Sequence, residues 1–181
     1  MNLVDSLNNA RKRVRAKGWN DSVSALNRTW SLYSRLWDRS ERFNQGSETL
    51  GDEWGGPEFA DLVIEELAAP YLSPDAIVLE LGCGGGKFSR RLAGRCGKLI
   101  CTDISKAMIK RTEAELLRHA SAGNVEFVQL GGADFAGVDD ASVDFIFSYD
   151  VQLHLQPQNN FAYLLDAKRI LRPGGVMMLH Q

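Results

Sequence analysis

Glycines and three acidic residues carry the chemistry this sequence can do. Gly82, Gly84 and Gly86 fall at alternate positions just after the apolar run Val78-Leu79-Glu80-Leu81. A strand-to-helix turn without side chains lets a ligand lie against bare backbone, and a following helix offers unpaired N–H groups. Glu80 interrupts the apolar run just before the turn, where a carboxylate is costly unless paired or used. It either accepts N–H groups of the turn or faces a cationic ligand group. A diphosphate is disfavoured above such a charge, whereas an ammonium or a sulfonium is not. Asp103 lies 21 residues past Gly82 at the end of the next apolar run. An acid there can accept both hydroxyls of a ribose; the alternative is an ordinary strand-end aspartate. Asp134, in Leu130-Gly131-Gly132-Ala133-Asp134-Phe135, follows the third run. Its carboxylate can accept from the exocyclic amine of an adenine while the N–H of Phe135 or Ala133 meets a ring nitrogen, unless this is a plain solvent loop.

A fourth cluster is Tyr149-Asp150-Val151-Gln152-Leu153-His154-Leu155. His154 is the natural candidate for a general base, because an unperturbed imidazole titrates near neutrality. Asp150 is the runner-up or orients His154, and Tyr149 can set its ring beside the reacting group or donate a hydrogen bond. The competing reading has His154 merely packing in the loop. His119 and His180 do not point clearly to a site. Counting from Gly82, the sixth position of a dinucleotide fingerprint is Lys87 rather than glycine, and no Gly-Lys-Ser/Thr follows. The turn therefore matches neither a dinucleotide fingerprint nor a P-loop.

The elements that must position these residues alternate. Strands are expected at 76–81, 98–102, 125–130, 143–148 and 176–180. Helices are expected near 86–94, 106–120 and 158–171, with Ser105 as an N-cap and Pro173-Gly174-Gly175 stopping the last. Apolar strands alternating with helices indicate a parallel sheet covered on both faces, an α/β doubly wound fold. Residues 1–56 differ and read as a helical cap or lid, with residues 57–181 as the α/β domain. Helices are expected over Val4–Lys17 and Ser22–Arg42, and a further one from Glu58 to Ala69. Leu26, Trp30, Tyr33 and Trp37 recur at spacings of three and four, a stripe that packs onto the neighbouring domain or lines a lid together with Trp54.

The 181 residues suffice for one compact domain, and a net charge of −2 argues against a nucleic-acid surface as the main feature. Nine Lys/Arg against five Asp/Glu in the first 50 residues read as a solvated helix face. Cys83, Cys96 and Cys101 have no metal-type spacing and form no disulfide framework, so no metal is expected and a reducing compartment fits. No leader and no membrane-length apolar run is present. These features point to a cytoplasmic protein with a small-molecule partner, and to neither nucleic acid nor membrane.

With these motifs in order, residues 76–181 resemble the class I S-adenosylmethionine-dependent methyltransferases. Val78–Gly86 matches the cofactor motif and Asp103 the ribose acid. Ser142-Val143-Asp144-Phe145-Ile146-Phe147-Ser148 matches the fourth-strand motif, and Leu171-Arg172-Pro173-Gly174-Gly175 the turn before strand five. The resemblance implies a Rossmann-like doubly wound sheet and methyl transfer from S-adenosylmethionine. It places Glu80 and Gly82 near the methionine part, Gly84 at a close backbone approach and Asp103 on the ribose. Asp134 and Phe135 fall at the adenine, and Ser148 and Tyr149 beside the reacting methyl. Cys83 and Ile104 complete the expected cofactor set. The family usually continues past strand five with a helix and an antiparallel strand pair. Here the sequence stops at Gln181, so the domain is expected to be incomplete, or its uncovered edge to be paired in an oligomer.

The expected activity is methyl transfer to an oxygen or nitrogen of a small molecule. Two rivals stand beside it. A nicotinamide-dependent oxidoreductase is compatible with Asp103 but not with Lys87. A non-catalytic methyltransferase-like binding or assembly module would use the apolar N-terminal stripe for a partner.

Overall fold

The computed structural model describes residues 23–39, 44–119 and 123–181. The expected helix over Val4–Lys17 lies outside the described residues. Helix α1 (Val23–Trp37) precedes α2 (Gly56–Val63), β1 (Ile77–Leu81), α3 (Ser89–Leu92), β2 (Lys98–Asp103), α4 (Lys106–Arg118) and β3 (Val125–Gln129). Then come β4 (Val143–Ser148), a 3₁₀ turn (Gln152–His154), α5 (Pro157–Ile170) and β5 (Leu171–Leu179).

The five strands pair in the order β3-β2-β1-β4-β5, all parallel. Strand β1 thus has β2 on one side and β4 on the other, and the chain reverses its winding there. In open α/β sheets that reversal leaves a crevice at the carboxyl ends of the central strands. Here its rims are the glycine turn after β1 and Tyr149 after β4. Two apolar layers cover the sheet. On one face Val78, Phe88, Leu92, Leu99, Phe145 and Phe147 pack together; on the other Leu79, Ile100, Phe135, Ile146, Tyr163 and Ile170 do. The alternation of side chains along each strand divides the residues between these layers.

The doubly wound fold agrees with the sequence reading, and β4 falls where it was expected. Three local expectations need correction. The helix expected at 86–94 is only Ser89–Leu92. Gly86 adopts φ +92°, and its N–H closes a turn on the Cys83 carbonyl, so the chain is still turning there. The helix expected over Glu58–Ala69 starts at Gly56 and widens into a π turn at Ile64–Ala68, then tightens into a 3₁₀ turn at Ala69–Tyr71 that contains Pro70. Helix α5 ends at Ile170, ahead of Pro173-Gly174-Gly175. That triplet lies instead in a bulge of β5, where Val143 faces Leu171 but Phe145 already faces Val176.

Helix α1 lies on α4. Trp37 is buried against Leu50 and Met108, with Trp30 and Tyr33 packed alongside. Arg111 of α4 donates to the Ser34 hydroxyl and carbonyl and stands 5.2 Å from the Trp37 ring. The apolar stripe of α1 therefore packs onto α4 and the Leu50 segment.

Glu80 is 2% exposed and lies beneath the turn, where Ser89 Oγ donates to its carboxylate. The Gly84 N–H goes to Asp103 and those of Gly82, Cys83 and Gly86 to backbone carbonyls, so these turn amides do not donate to Glu80 as that reading expected. Burial pushes the Glu80 carboxyl up to about 7, against a smaller opposing effect of the Ser89 hydrogen bond. The native state thus holds this proton when the unfolded chain has lost it. Stability is largest below the unfolded carboxylate range and is lost as pH rises from about 4.5 towards 7. Glu80→Gln is expected to flatten that segment of the urea-midpoint profile; a parental slope in the variant would refute the assignment.

Candidate functional site

The glycine turn is built by backbone conformation and held by β2. Gly82, Gly84 and Gly86 have φ of +80°, +55° and +92°, a region that side chains other than glycine rarely adopt. The N–H groups of Gly82 and Cys83 both donate to the Thr102 carbonyl, at 2.8 and 2.9 Å. Asp103, at the tip of β2, receives the Gly84 N–H on Oδ2 at 3.1 Å and the Ser105 N–H on Oδ1 at 2.8 Å. One carboxylate so braces the turn and the start of α4, where Ser105 caps the helix by accepting the Met108 N–H. Thr112 of α4 donates to the Gly84 carbonyl at 3.0 Å.

Each glycine has a different neighbour. A Cβ on Gly82 would come within 2.3 Å of Val151 Cγ2, and one on Gly85 within 2.4 Å of the Leu50 carbonyl. A Cβ on Gly84 would meet only the Gly82 carbonyl, at 3.9 Å. Gly84 is thus the place where the turn presents bare backbone to open space, beside Asp103. Asp103 is 8% exposed, and burial raises its carboxyl to about 6 despite the N–H groups that favour the charge. Cys83 is buried, and burial pushes its thiol well up, so it is an inert wall. Ile104 is half-buried against the second apolar layer.

The loop after β3 is fixed from α5. Tyr163 donates to the Gly132 carbonyl at 2.7 Å, and the Phe135 N–H donates to Asp166 at 2.6 Å. The Phe135 ring is fully buried against Tyr163. Asp134 is exposed and accepts the Ala136 N–H. The loop thus presents the Asp134 carboxylate outward, while the Phe135 N–H is used internally.

At the exit of β4, Ser148 is buried, donates to the Leu81 carbonyl and pairs with Gln152. The Tyr149 ring stands among Phe59, Phe88 and Phe147 and stacks flat on His180, with centroids 4.0 Å apart. Asp150, at φ +59°, puts Oδ1 2.9 Å from His180 Nδ1. His154 lies edge-on to Trp30 of α1 at 4.8 Å. Asp150 is therefore seated with His180, and His154 with the cap.

Helix α1 spans the crevice. Ser31 Oγ is 3.0 Å from Ser105 Oγ at the β2 exit, while Trp30 meets His154 at the β4 exit. A strap formed by Thr49–Trp54 closes the remaining side. Lys87, 7% exposed, donates to the carbonyls of Gly51 and Trp54, at 3.0 and 2.6 Å. Arg90 reaches Asp52, Thr49 and Glu115. Burial lowers the Lys87 amine, with Asp52 and Asp150 opposing. Tyr33 donates to Glu53, and the Trp54 indole lies 3.4 Å from the Tyr33 hydroxyl.

Sequence reasoning missed Lys87 and His180. Lys87 was noted only as a misfit in a dinucleotide pattern. His180 could have been found from its position, since the first residue after a parallel strand emerges on the same crevice side as Tyr149.

Comparison with known proteins decides the family. A family described as "Methyltransferase domain" matches residues 78–175. The chain belongs to the class I S-adenosylmethionine-dependent methyltransferases. It is similar to Phosphoethanolamine N-methyltransferase 1 of Caenorhabditis elegans, 25% identical over 88% of this chain and 33% of that protein. It is similar also to carboxy-S-adenosyl-L-methionine synthase of Shewanella woodyi, 29% identical over 64% of this chain and 48% of that protein. The chain thus spans a third to about half the length of these relatives. The crystal structure of Haemonchus contortus Phosphoethanolamine N-methyltransferase 1 with phosphoethanolamine and S-adenosylhomocysteine shares the fold. Its TM-score is 0.59 at 24% identity, over 84% of this chain and 32% of that one. The methyltransferase family sets the nicotinamide alternative aside. Among the described residues no group of acids, histidines and cysteines is placed to hold a metal, and no helix is long and apolar enough to cross a membrane.

Proposed function

We propose that this methyltransferase moves the methyl group of S-adenosylmethionine to an oxygen or nitrogen atom of a small molecule in the cytoplasm. The observation that carries the reading is Asp103 beside Gly84: a buried carboxylate next to the one open face of a positive-φ turn. The residues present fit the cofactor. Asp103 keeps lone pairs for the ribose hydroxyls while it braces the turn. Gly82, Cys83 and Gly84 supply the floor, with Glu80 buried beneath as a tunable charge. Ile104, the Asp134 carboxylate and the segment around Phe135 border the adenine end, and Ser148 and Tyr149 border the methyl end. S-adenosylmethionine, when bound, supplies a methyl already activated by its sulfonium, so the protein's task is alignment and exclusion of water. Helix α1 and the strap serve that exclusion, which supports reading the N-terminal segment as a cover.

His154 is the base for an acceptor that must lose a proton, with Trp30 holding its ring; Asp150 and Tyr149 shape the acceptor side. His154→Asn is expected to lower turnover on the order of 100-fold while leaving S-adenosylhomocysteine affinity within twofold. A turnover loss matched by an equal loss of affinity would remove His154 from the chemistry. The test of the whole reading is titration calorimetry: S-adenosylhomocysteine should bind and NAD should not. The reverse pattern would overturn it. Phosphoethanolamine, the ligand named for the nematode relative, is the first acceptor to try.

A further inference from the structure

We propose that His180 is a positioning residue, which sets the Tyr149 ring and the Asp150 carboxylate at the acceptor side of the crevice; this rests on the methyl-transfer reading above. The clasp is made across two strands. His180 follows β5 directly, and its N–H donates to the Ser148 carbonyl at 2.9 Å, which fixes its backbone to the tip of β4. Its ring then lies on Tyr149 with 5° between the planes. Phe59 and Phe88 flank the same tyrosine, at 6.2 and 5.1 Å. Tyr149 is therefore held on several sides, and the contact with His180 is the closest of them.

The second half of the clasp is electrostatic. Asp150 sits in the left-handed region at φ +59°, a strained place for a residue with a side chain. It is half-exposed, so its own loop does little to choose a rotamer. His180 Nδ1 is 2.9 Å from Asp150 Oδ1, a close polar contact that is not aligned as a hydrogen bond. The other charged group facing this corner is Lys87, whose ammonium feels the Asp150 charge and lies 5.7 Å from the Phe59 ring. The acceptor-side carboxylate thus stands between the Lys87 ammonium, which the strap carbonyls hold, and an imidazole from the neighbouring strand. Its direction is set by residues outside its own loop.

The experiment combines side-chain NMR of His180 with kinetics, on the full chain. In Asp150→Asn the His180 ring-proton shifts are expected to move, because the carboxylate beside Nδ1 is lost. In Tyr149→Leu the His180 ring protons are expected to lose the upfield shift that a stacked phenol gives. In His180→Ala, kcat/KM for phosphoethanolamine is expected to fall about tenfold with S-adenosylhomocysteine affinity within twofold. His180→Phe, which keeps the stack and drops the contact with Asp150, should recover only part of that loss. Unchanged His180 ring-proton shifts in Asp150→Asn, or parental turnover in His180→Ala, overturns the assignment. Failure of S-adenosylhomocysteine to bind the parent protein would instead overturn the methyl-transfer reading, and the NMR coupling would still decide the clasp.

Discussion

Asp103→Ala should weaken S-adenosylhomocysteine binding by more than ~100-fold by calorimetry. Two contributions add. A carboxylate receiving two ribose hydroxyls loses charge-assisted hydrogen bonds worth about 1.5–3 kcal/mol each. The variant also releases the Gly84 and Ser105 N–H groups, which loosens the turn that the ligand must lie on. Asp103→Asn separates the two, since an amide oxygen can still accept one N–H; its loss should be smaller. The pH profile has a fixed sign. With its carboxyl raised to about 6, Asp103 is ionised above that pH and protonates below it. Affinity should therefore fall as pH drops through 6. Affinity in Asp103→Ala equal to that of the parent would remove the ribose role.

The second large effect is a contrast between adjacent glycines. Gly85→Ala should destabilise the protein by about 3 kcal/mol in urea, because its Cβ would overlap the Leu50 carbonyl and backbone cannot yield as a side-chain tip can. Gly84→Ala should cost roughly 1 kcal/mol for its positive φ, yet it should weaken ligand binding more than tenfold by filling the open face. One substitution reads the seat of the strap, the other the seat of the ligand. Equal behaviour of the two variants in both assays would mean that the strap and the ligand share one surface, contrary to the geometry.

How far the sequence carried this molecule depends on the range of the forces involved. The strand run 143–148 was legible because Val143, Phe145, Ile146 and Phe147 are buried and leave an apolar signature. Ser105 was legible as a cap because capping is local. The short α3 was not, since the length of that helix is decided by how the turn closes on Cys83, which no periodicity encodes. Among site residues, Asp103 stood out by its place at a strand end, and it lies buried beside the glycine turn. The role of Glu80 was misjudged because its partners, Ser89 and Cys101, arrive from other elements. The pairing of Asp150 with His180 was invisible for the same reason. The two residues are 30 apart in the chain, and only the β4–β5 register brings them together.

The strap's ion cluster has a consequence for ionic strength. Asp52, Glu115 and Arg90 have side chains only 8%, 4% and 17% exposed, so mobile counter-ions reach them poorly. The Arg95–Glu65 pair, at 37% and 59%, sits in the solvent and is screened within about 10 Å at 0.1 M salt. Brine should dissolve the outer pair while the crevice keeps its cover, a tolerance that comes from exclusion of water rather than from the number of charges.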